Sequence, residues 1–145
     1  MSVFSMIIDG KIPGRFAWAD DTCVAFATIE PICDGHLLVV PRKEVARYTD
    51  LDSETWMHLA DVARIIGQAG EHAYEGSRAM LIVAGLEVPH VHIHVVPAYK
   101  EGDLSFANAR KASEEELDAA VTRMRGGLVE LGYEENVPTD MYSLA

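Results

Sequence analysis

The 145-residue chain has only two cysteines, Cys23 and Cys33, and far fewer basic than acidic side chains, 12 Lys and Arg against 23 Asp and Glu. Two cysteines give no disulfide framework and suit a reducing compartment, so the expected location is the cytoplasm. A net charge of −11 excludes a general nucleic-acid surface, which is usually strongly basic. A small anion then has to be met by a locally reversed field, from helix N-termini, backbone N–H groups or histidine. There is no long apolar run and no basic leader ahead of one, so neither a signal peptide nor a membrane span is expected. Internal repeats and linkers are also missing. With 49% hydrophobic and 24% charged residues, the expectation is one globular domain over residues 1–145, not a disordered chain.

Val3 to Ile12, ending at Pro13-Gly14, reads as a short helix or an irregular arm. Strand patterns follow at Phe16–Trp18, Thr22–Ile29 and His36–Val40, the last stopped by Pro41. From Ser53 the apolar period changes. Trp56, Leu59, Ala60, Ala63, Ile66 and Ala69 recur at three- and four-residue steps, predicting an amphipathic helix to about Glu75 and Gly76. Ala79–Ala84 and Val88–Val96 read as strands, with Gly85-Leu86-Glu87 a tight turn between them. Ser113 followed by three glutamates caps a second helix from Glu114 to Leu131, which Gly126-Gly127 threatens to weaken. The residues after it, with Tyr133, Glu134-Glu135, Pro138 and Tyr142, read as a solvated tail, or the region from about Phe106 packs across a partner and shapes substrate choice; 106–145 is in either case a C-terminal helix and tail. The sum is an α+β domain, with an antiparallel sheet of about five strands and two main helices. Cys23 is expected to be a buried, inert thiol, and His58 and His72 to be surface or packing histidines.

The chemistry concentrates in His90-Val91-His92-Ile93-His94. On a regular strand, side chains two apart leave the same face, roughly 6.6 Å from one another. Packing does not ask for three imidazoles in a row. Zinc is one reading, since imidazole is a good ligand, but a closed site needs a fourth donor and no Cys-x-x-Cys lies near. Phosphoryl chemistry is the other. One imidazole attacks phosphorus, an imidazolium neutralises phosphoryl oxygens, and a third orients the nucleophile. Gly35-His36 starts another strand pattern, and pairing with the histidine strand would bring His36 to the same face.

His90-Val-His92-Ile-His94-Val-Val, together with Gly35-His36-Leu-Leu-Val-Val-Pro41 and the upstream Phe4, Ile7-Ile8, Gly10, Ile12-Pro13, Asp20-Asp21, Ala25-Phe26 and Pro31, resembles the histidine triad family over roughly residues 2–100. The resemblance implies the histidine triad fold, a homodimer with a continuous sheet, and purine nucleotides or nucleotide conjugates as substrates. It implies hydrolysis or transfer at the α-phosphorus without a cofactor. His92 matches the family's nucleophile and His94 the histidine that contacts phosphate or leaving-group oxygens. His90 matches the histidine that braces the site, and His36 the upstream member of the same cluster. Phe4, Ile7, Ile12, Phe26 and Ile29 fall where the family lines its base pocket, Thr28 where relatives often bind ribose with an aspartate, and Gly85 in the glycine-bearing segment before the triad.

The departures are as informative. Where many bacterial relatives place two cysteines and a histidine for structural zinc, this chain has Ser2, Ser5 and Glu44, so no metal is expected and hydrophobic packing is expected to hold that corner. Leu86 stands where relatives have a glutamine. The leading expectation is a metal-independent phosphoramidase-like nucleotide hydrolase or nucleotidyl transferase working through a nucleotidyl-His92 intermediate. The alternatives are a dinucleoside polyphosphate hydrolase, a nucleotide-binding or interaction protein with little catalysis, and a metal-dependent hydrolase using His90, His92 and His94. The helix at Ser53–Glu75 and an adjacent strand edge are the expected dimer surface.

Overall fold

The computed structural model describes all residues, 1–145. Helix α1 spans Val3–Ile8, with Ser2 as its N-cap. Strands β1 (Phe16–Ala19), β2 (Cys23–Ala27) and β3 (Leu37–Pro41) lead to helix α2 (Ser53–Ala73). Strands β4 (Arg78–Val83) and β5 (Ile93–Ala98) precede helix α3 (Glu114–Glu130). The strands form one antiparallel sheet in the order β1-β2-β3-β5-β4. The fold is α+β, as the sequence predicts.

The sheet's central strands are covered on both faces, which is why they read as continuous apolar runs. Leu37, Val39, Ile93 and Val95 join Leu59, Val62, Ala63, Ile66 and Ala69 of α2 in the main core. At about 1.5–3 kcal/mol for each fully buried large aliphatic side chain, this face supplies most of the driving force. The alternate residues Val24, Phe26, Leu38 and Val40 face the other way, onto Phe4 of α1 and Phe16. His94 is opposite Leu38 in the β3–β5 register, so it emerges on this second face, away from α2.

Helix α2 starts at Asp52, whose carboxylate accepts the Thr55 N–H. Helix α3 starts at a reciprocal Ser113–Glu116 capping box. Gly126-Gly127 does not end α3. A Cβ on Gly127 would lie 2.9 Å from the Ala69 carbonyl oxygen, so glycine there lets α3 dock against the backbone of α2. Cys23 is fully buried, and burial with the neighbouring Asp20 carboxylate pushes its thiol far above its ordinary value. Asp20 is a hydrogen-bond hub. It accepts from the Thr22 and Cys23 amides, from Trp18 Nε1 and from His58, with the Cys23 thiol 3.7 Å away. His72 pairs with Glu130.

Two expectations need correction. The histidine strand does not begin at Val88. Pro89 has no N–H to offer a ladder, His90 N–H bonds Val88 O, and Val91 N–H bonds Val45 O. Pairing with β3 therefore starts only at Ile93, and His90 and His92 precede the strand. The residues after α3 are not a solvated tail either. Phe16 N–H donates to Met141 O, Arg125 donates to Phe16 O and Pro138 O, and Asn136 donates to Ala19 O. Tyr133 packs on Trp18 at 5.8 Å between ring centroids, and Leu144 packs on the Phe4 cluster. The segment closes the outer edge of β1.

Candidate active site

A cavity of about 780 Å³ opens on the face away from α2. Of the residues singled out in the sequence, it gathers Phe4, Thr28, His36, Gly85, His92 and His94. Ile7 packs behind it against the Phe4 cluster, of which the buried Phe26 is a member. Ile29 is 62% exposed and points away from the core. Ile12 is half-buried and, like Ile29, outside the lining. His90 is also outside the cavity and fully buried.

The hydrogen bonds fix each imidazole's tautomer, because carbonyl oxygens only accept and backbone N–H groups only donate. His92 Nδ1 lies 2.7 Å from His90 O, so Nδ1 carries the proton. Nε2 of His92 is then a bare lone pair at the cavity. Ile32 N–H donates to His36 Nδ1 at 3.0 Å. His36 Nε2 therefore holds the proton and donates it to His94 Nδ1, also at 3.0 Å. With its Nδ1 accepting, His94 keeps its proton on Nε2. The His92 and His94 rings lie 4.9 Å apart, centroid to centroid, and a nucleophilic lone pair thus sits beside an N–H donor. Phe4 stands edge-on to His92 at 4.8 Å and Phe106 edge-on to His94 at 5.0 Å, walling the pair from either side.

Burial sets the charge state. Desolvation, with His94 nearby, depresses His36 to about 3. Desolvation, with His92 nearby, depresses His94 to about 4. His92 is lowered by desolvation too, partly opposed by its bond to the His90 carbonyl. Burial thus holds the His36–His94 pair in its neutral form at pH 7. His94 therefore meets the cavity as a neutral N–H donor.

His90 faces a different set of partners. Its Nε2 lies 2.7 Å from Pro41 O and its Nδ1 2.6 Å from Ser2 Oγ. Ser2 Oγ also accepts the Ser5 N–H, and Glu44 accepts from both the Ser2 N–H and the Ser5 hydroxyl. Those two bonds, the Ser2 amide first, pull Glu44 down to about 2. The corner expected to rest on hydrophobic packing is a polar network. Ser2 is 8% exposed, and its bond to His90 bridges 88 positions, which sequence patterns do not reveal. Thr28 Oγ1 already accepts the Glu30 N–H, leaving its hydroxyl proton as the more available group. Glu30, Leu38, Val83, Ala84, Leu86, Glu87, Val88, Phe106 and Ala109 complete the lining. Among them Glu30 and Glu87 are acidic and none is Lys or Arg.

These histidines also have the setting of known relatives. Residues 9–101 match the HIT domain family. An uncharacterized HIT-like protein of Methanocaldococcus jannaschii is 32% identical over 130 residues, spanning 87% of this chain and 100% of that one. The chain belongs to the HIT, or histidine triad, family. A bis(5'-nucleosyl)-tetraphosphatase (asymmetrical) of Schizosaccharomyces pombe is 33% identical over 96 residues, 60% of this chain and 53% of that protein. The crystal structure of a zinc-bound histidine triad family protein from Mycobacterium smegmatis superposes with a TM-score of 0.77 at 27% identity, covering 89% of this chain and 94% of that one.

The residues of the Ser2 corner do not fit zinc. Two hydroxyls and one carboxylate are weak donors beside thiolate and imidazole, and both nitrogens of His90 are already engaged. A three-histidine metal site is equally poorly served. Among His90, His92 and His94, only the two Nε2 atoms of His92 and His94 lack a protein partner.

Proposed function

We propose that this chain is a nucleotide hydrolase or nucleotidyl transferase acting at the α-phosphorus through a covalent nucleotidyl-His92 intermediate. The observation that carries the reading is the unprotonated Nε2 of His92 at the cavity beside the Nε2–H of His94. In the first step His92 Nε2 bonds to phosphorus and the bond to the leaving group breaks, its electron pair departing with the leaving atom, which gains a proton from solvent. The Nδ1–H bond to the His90 carbonyl steadies the positive charge that develops on the His92 ring. The neutral His94 N–H donates to a phosphoryl or leaving-group atom, with His36 keeping it in the donating tautomer. Water then attacks phosphorus and gives up a proton to solvent, the bond to Nε2 breaks with its pair returning to the ring, and the nucleotide leaves.

Purine nucleoside phosphoramidates and related conjugates are the substrate class in this reading. The dinucleotide activity named for the Schizosaccharomyces pombe relative is the second candidate. A lining that has Glu30 and Glu87 but no cation supports short leaving groups over a long polyphosphate. The copy number proposed is two. Strand β4 is an edge of the sheet with only β5 beside it, Leu81 on it is 55% exposed, and it borders a shallow groove with Ala60, Ala63 and Gly67 of α2. No helix is long and apolar enough to cross a membrane, and the reaction proposed is a cytoplasmic one.

The test is a panel of adenosine and guanosine phosphoramidates and dinucleotides with the wild type and His92→Ala, read by product formation and by intact mass for the nucleotidyl adduct. The expected result is an adduct and turnover in the wild type and neither in the variant. Turnover that survives His92→Ala overturns the mechanism. Nucleotide binding without turnover in the wild type supports a binding protein instead.

A further inference from the structure

His92 is useful as a nucleophile only while its proton stays on Nδ1, and the sole partner holding it there is the carbonyl of His90. That carbonyl belongs to no ladder, since β5 begins at Ile93. Its orientation depends on two anchors. One is the Val91 N–H, in the same peptide plane, which bonds Val45 O at 2.8 Å. The other is the His90 ring, pinned between Pro41 O and the Ser2 hydroxyl. Pro41 O can only accept, so His90 Nε2 donates, and its Nδ1 lies 2.6 Å from Ser2 Oγ, whose hydroxyl proton can be given to it. The serine is itself held in place, because its amide donates to Glu44 Oε1 at 2.5 Å and Ser5 Oγ donates to the same oxygen at 2.7 Å.

We propose that Ser2 is a positioning residue for the His92 nucleophile, its hydroxyl locking the His90 ring and, through that residue's carbonyl, the tautomer of His92. The inference rests on the reading of His92 as the nucleophile. It gives a function to a corner whose donor set does not fit zinc. Hydrogen bonds among Ser2, Ser5 and Glu44 brace the first histidine there. Ser2 has a second duty as N-cap of α1, accepting the Ser5 N–H, and the two duties are separable. Glycine caps a helix nearly as well as serine, whereas it removes the hydroxyl that His90 needs.

The experiment uses the full chain as wild type, Ser2→Gly, Ser2→Ala and Ser2→Thr. Long-range nitrogen–proton NMR of the imidazoles reports the tautomers. Steady-state kinetics on an adenosine phosphoramidate report kcat and KM, and thermal unfolding reports the fold. The wild type is expected to show His90 protonated on Nε2 and His92 on Nδ1. In Ser2→Gly and Ser2→Ala, His92 becomes a mixture of tautomers, and kcat falls about tenfold, roughly the effect of one buried hydrogen bond, with KM unchanged. Ser2→Thr, which keeps a hydroxyl, restores both. Unchanged His92 tautomer and kcat in Ser2→Gly, with only a lowered melting temperature in Ser2→Ala, would reduce Ser2 to a helix cap and overturn the proposal. A wild type that shows the expected tautomers and their loss in Ser2→Gly, yet forms no adduct on His92, keeps the positioning contact and removes the reading of the nucleophile.

Discussion

Replacing His36 with phenylalanine keeps a planar ring in a site that is 3% exposed and removes both hydrogen bonds of the native side chain. Ile32 N–H loses its acceptor and His94 Nδ1 loses its donor. A buried donor left unpaired costs about 1–3 kcal/mol, so the variant is less stable by that amount at pH 7.5. The effect then depends on pH with a definite sign. His36 is depressed from its ordinary 6.5 to about 3 in the folded protein, so the unfolded chain binds a proton that the folded chain refuses. The stability this neutral ring leaves intact above pH 6.5 is lost as pH falls towards 3. Each pH unit below 6.5 withdraws about 1.4 kcal/mol from the wild type through this residue. At pH 4.5 the loss is about 3 kcal/mol, and the phenylalanine variant does not suffer it. Denaturant unfolding at pH 7.5 and 4.5 should therefore show the wild type ahead at the first and level or behind at the second. A stability difference that stays constant between the two would refute the buried-neutral assignment of His36. In the same variant His94 no longer has its tautomer held, and kcat should fall by about tenfold or more.

The His92 nucleophile acts unprotonated and its ring is held below 6.5 by desolvation, so kcat/KM should fall on an acid limb whose midpoint lies below 6.5. Rates between pH 4 and 8 check this, and an acid limb centred at 6.5 or above contradicts the burial of the ring. Gly127→Val would drive a side chain against the Ala69 carbonyl and should destabilise the fold by about 1–3 kcal/mol, measured by the denaturant midpoint, and an unchanged midpoint would deny the close approach of α2 and α3. Leu81→Lys places a charge on the open β4 edge. Light scattering should find the variant monomeric where the wild type is dimeric, and a variant that remains dimeric would move the interface elsewhere.

The parts of the fold set by local periodicity were legible in the sequence. The three- and four-residue spacing around Leu59, Ala63 and Ile66 located α2 to within two residues at its end, and Ser113 with its glutamates located the start of α3. Gly127 misleads for a local reason with a distant answer, because the backbone that needs its missing Cβ belongs to Ala69. The alternation of His90, His92 and His94 promised one face of one strand. Pro89 keeps His90 and His92 out of the ladder, yet His92 still joins His94 at the cavity while His90 turns into the Ser2 corner. The pairing of His36 with His94 was foreseeable from two strand patterns, but the proton positions were not, since they follow from Ile32 N–H, Pro41 O and His90 O. The C-terminal segment looked solvated because its apolar residues are sparse. Its attachment is through backbone groups of β1, to which composition is blind.

That attachment limits how copies of this chain can associate. Phe16 N–H, Phe16 O and Ala19 O, on the outer strand β1, are engaged by Met141, Arg125 and Asn136, whereas on β4 the Ala79 N–H alone is met, by Glu71 near the strand's start. A sheet whose one margin is sealed by its own chain and whose other is largely open has a valence of one. Joining through β4 saturates it at a closed pair, and the same geometry that permits a partner prevents edge-to-edge growth into a fibre.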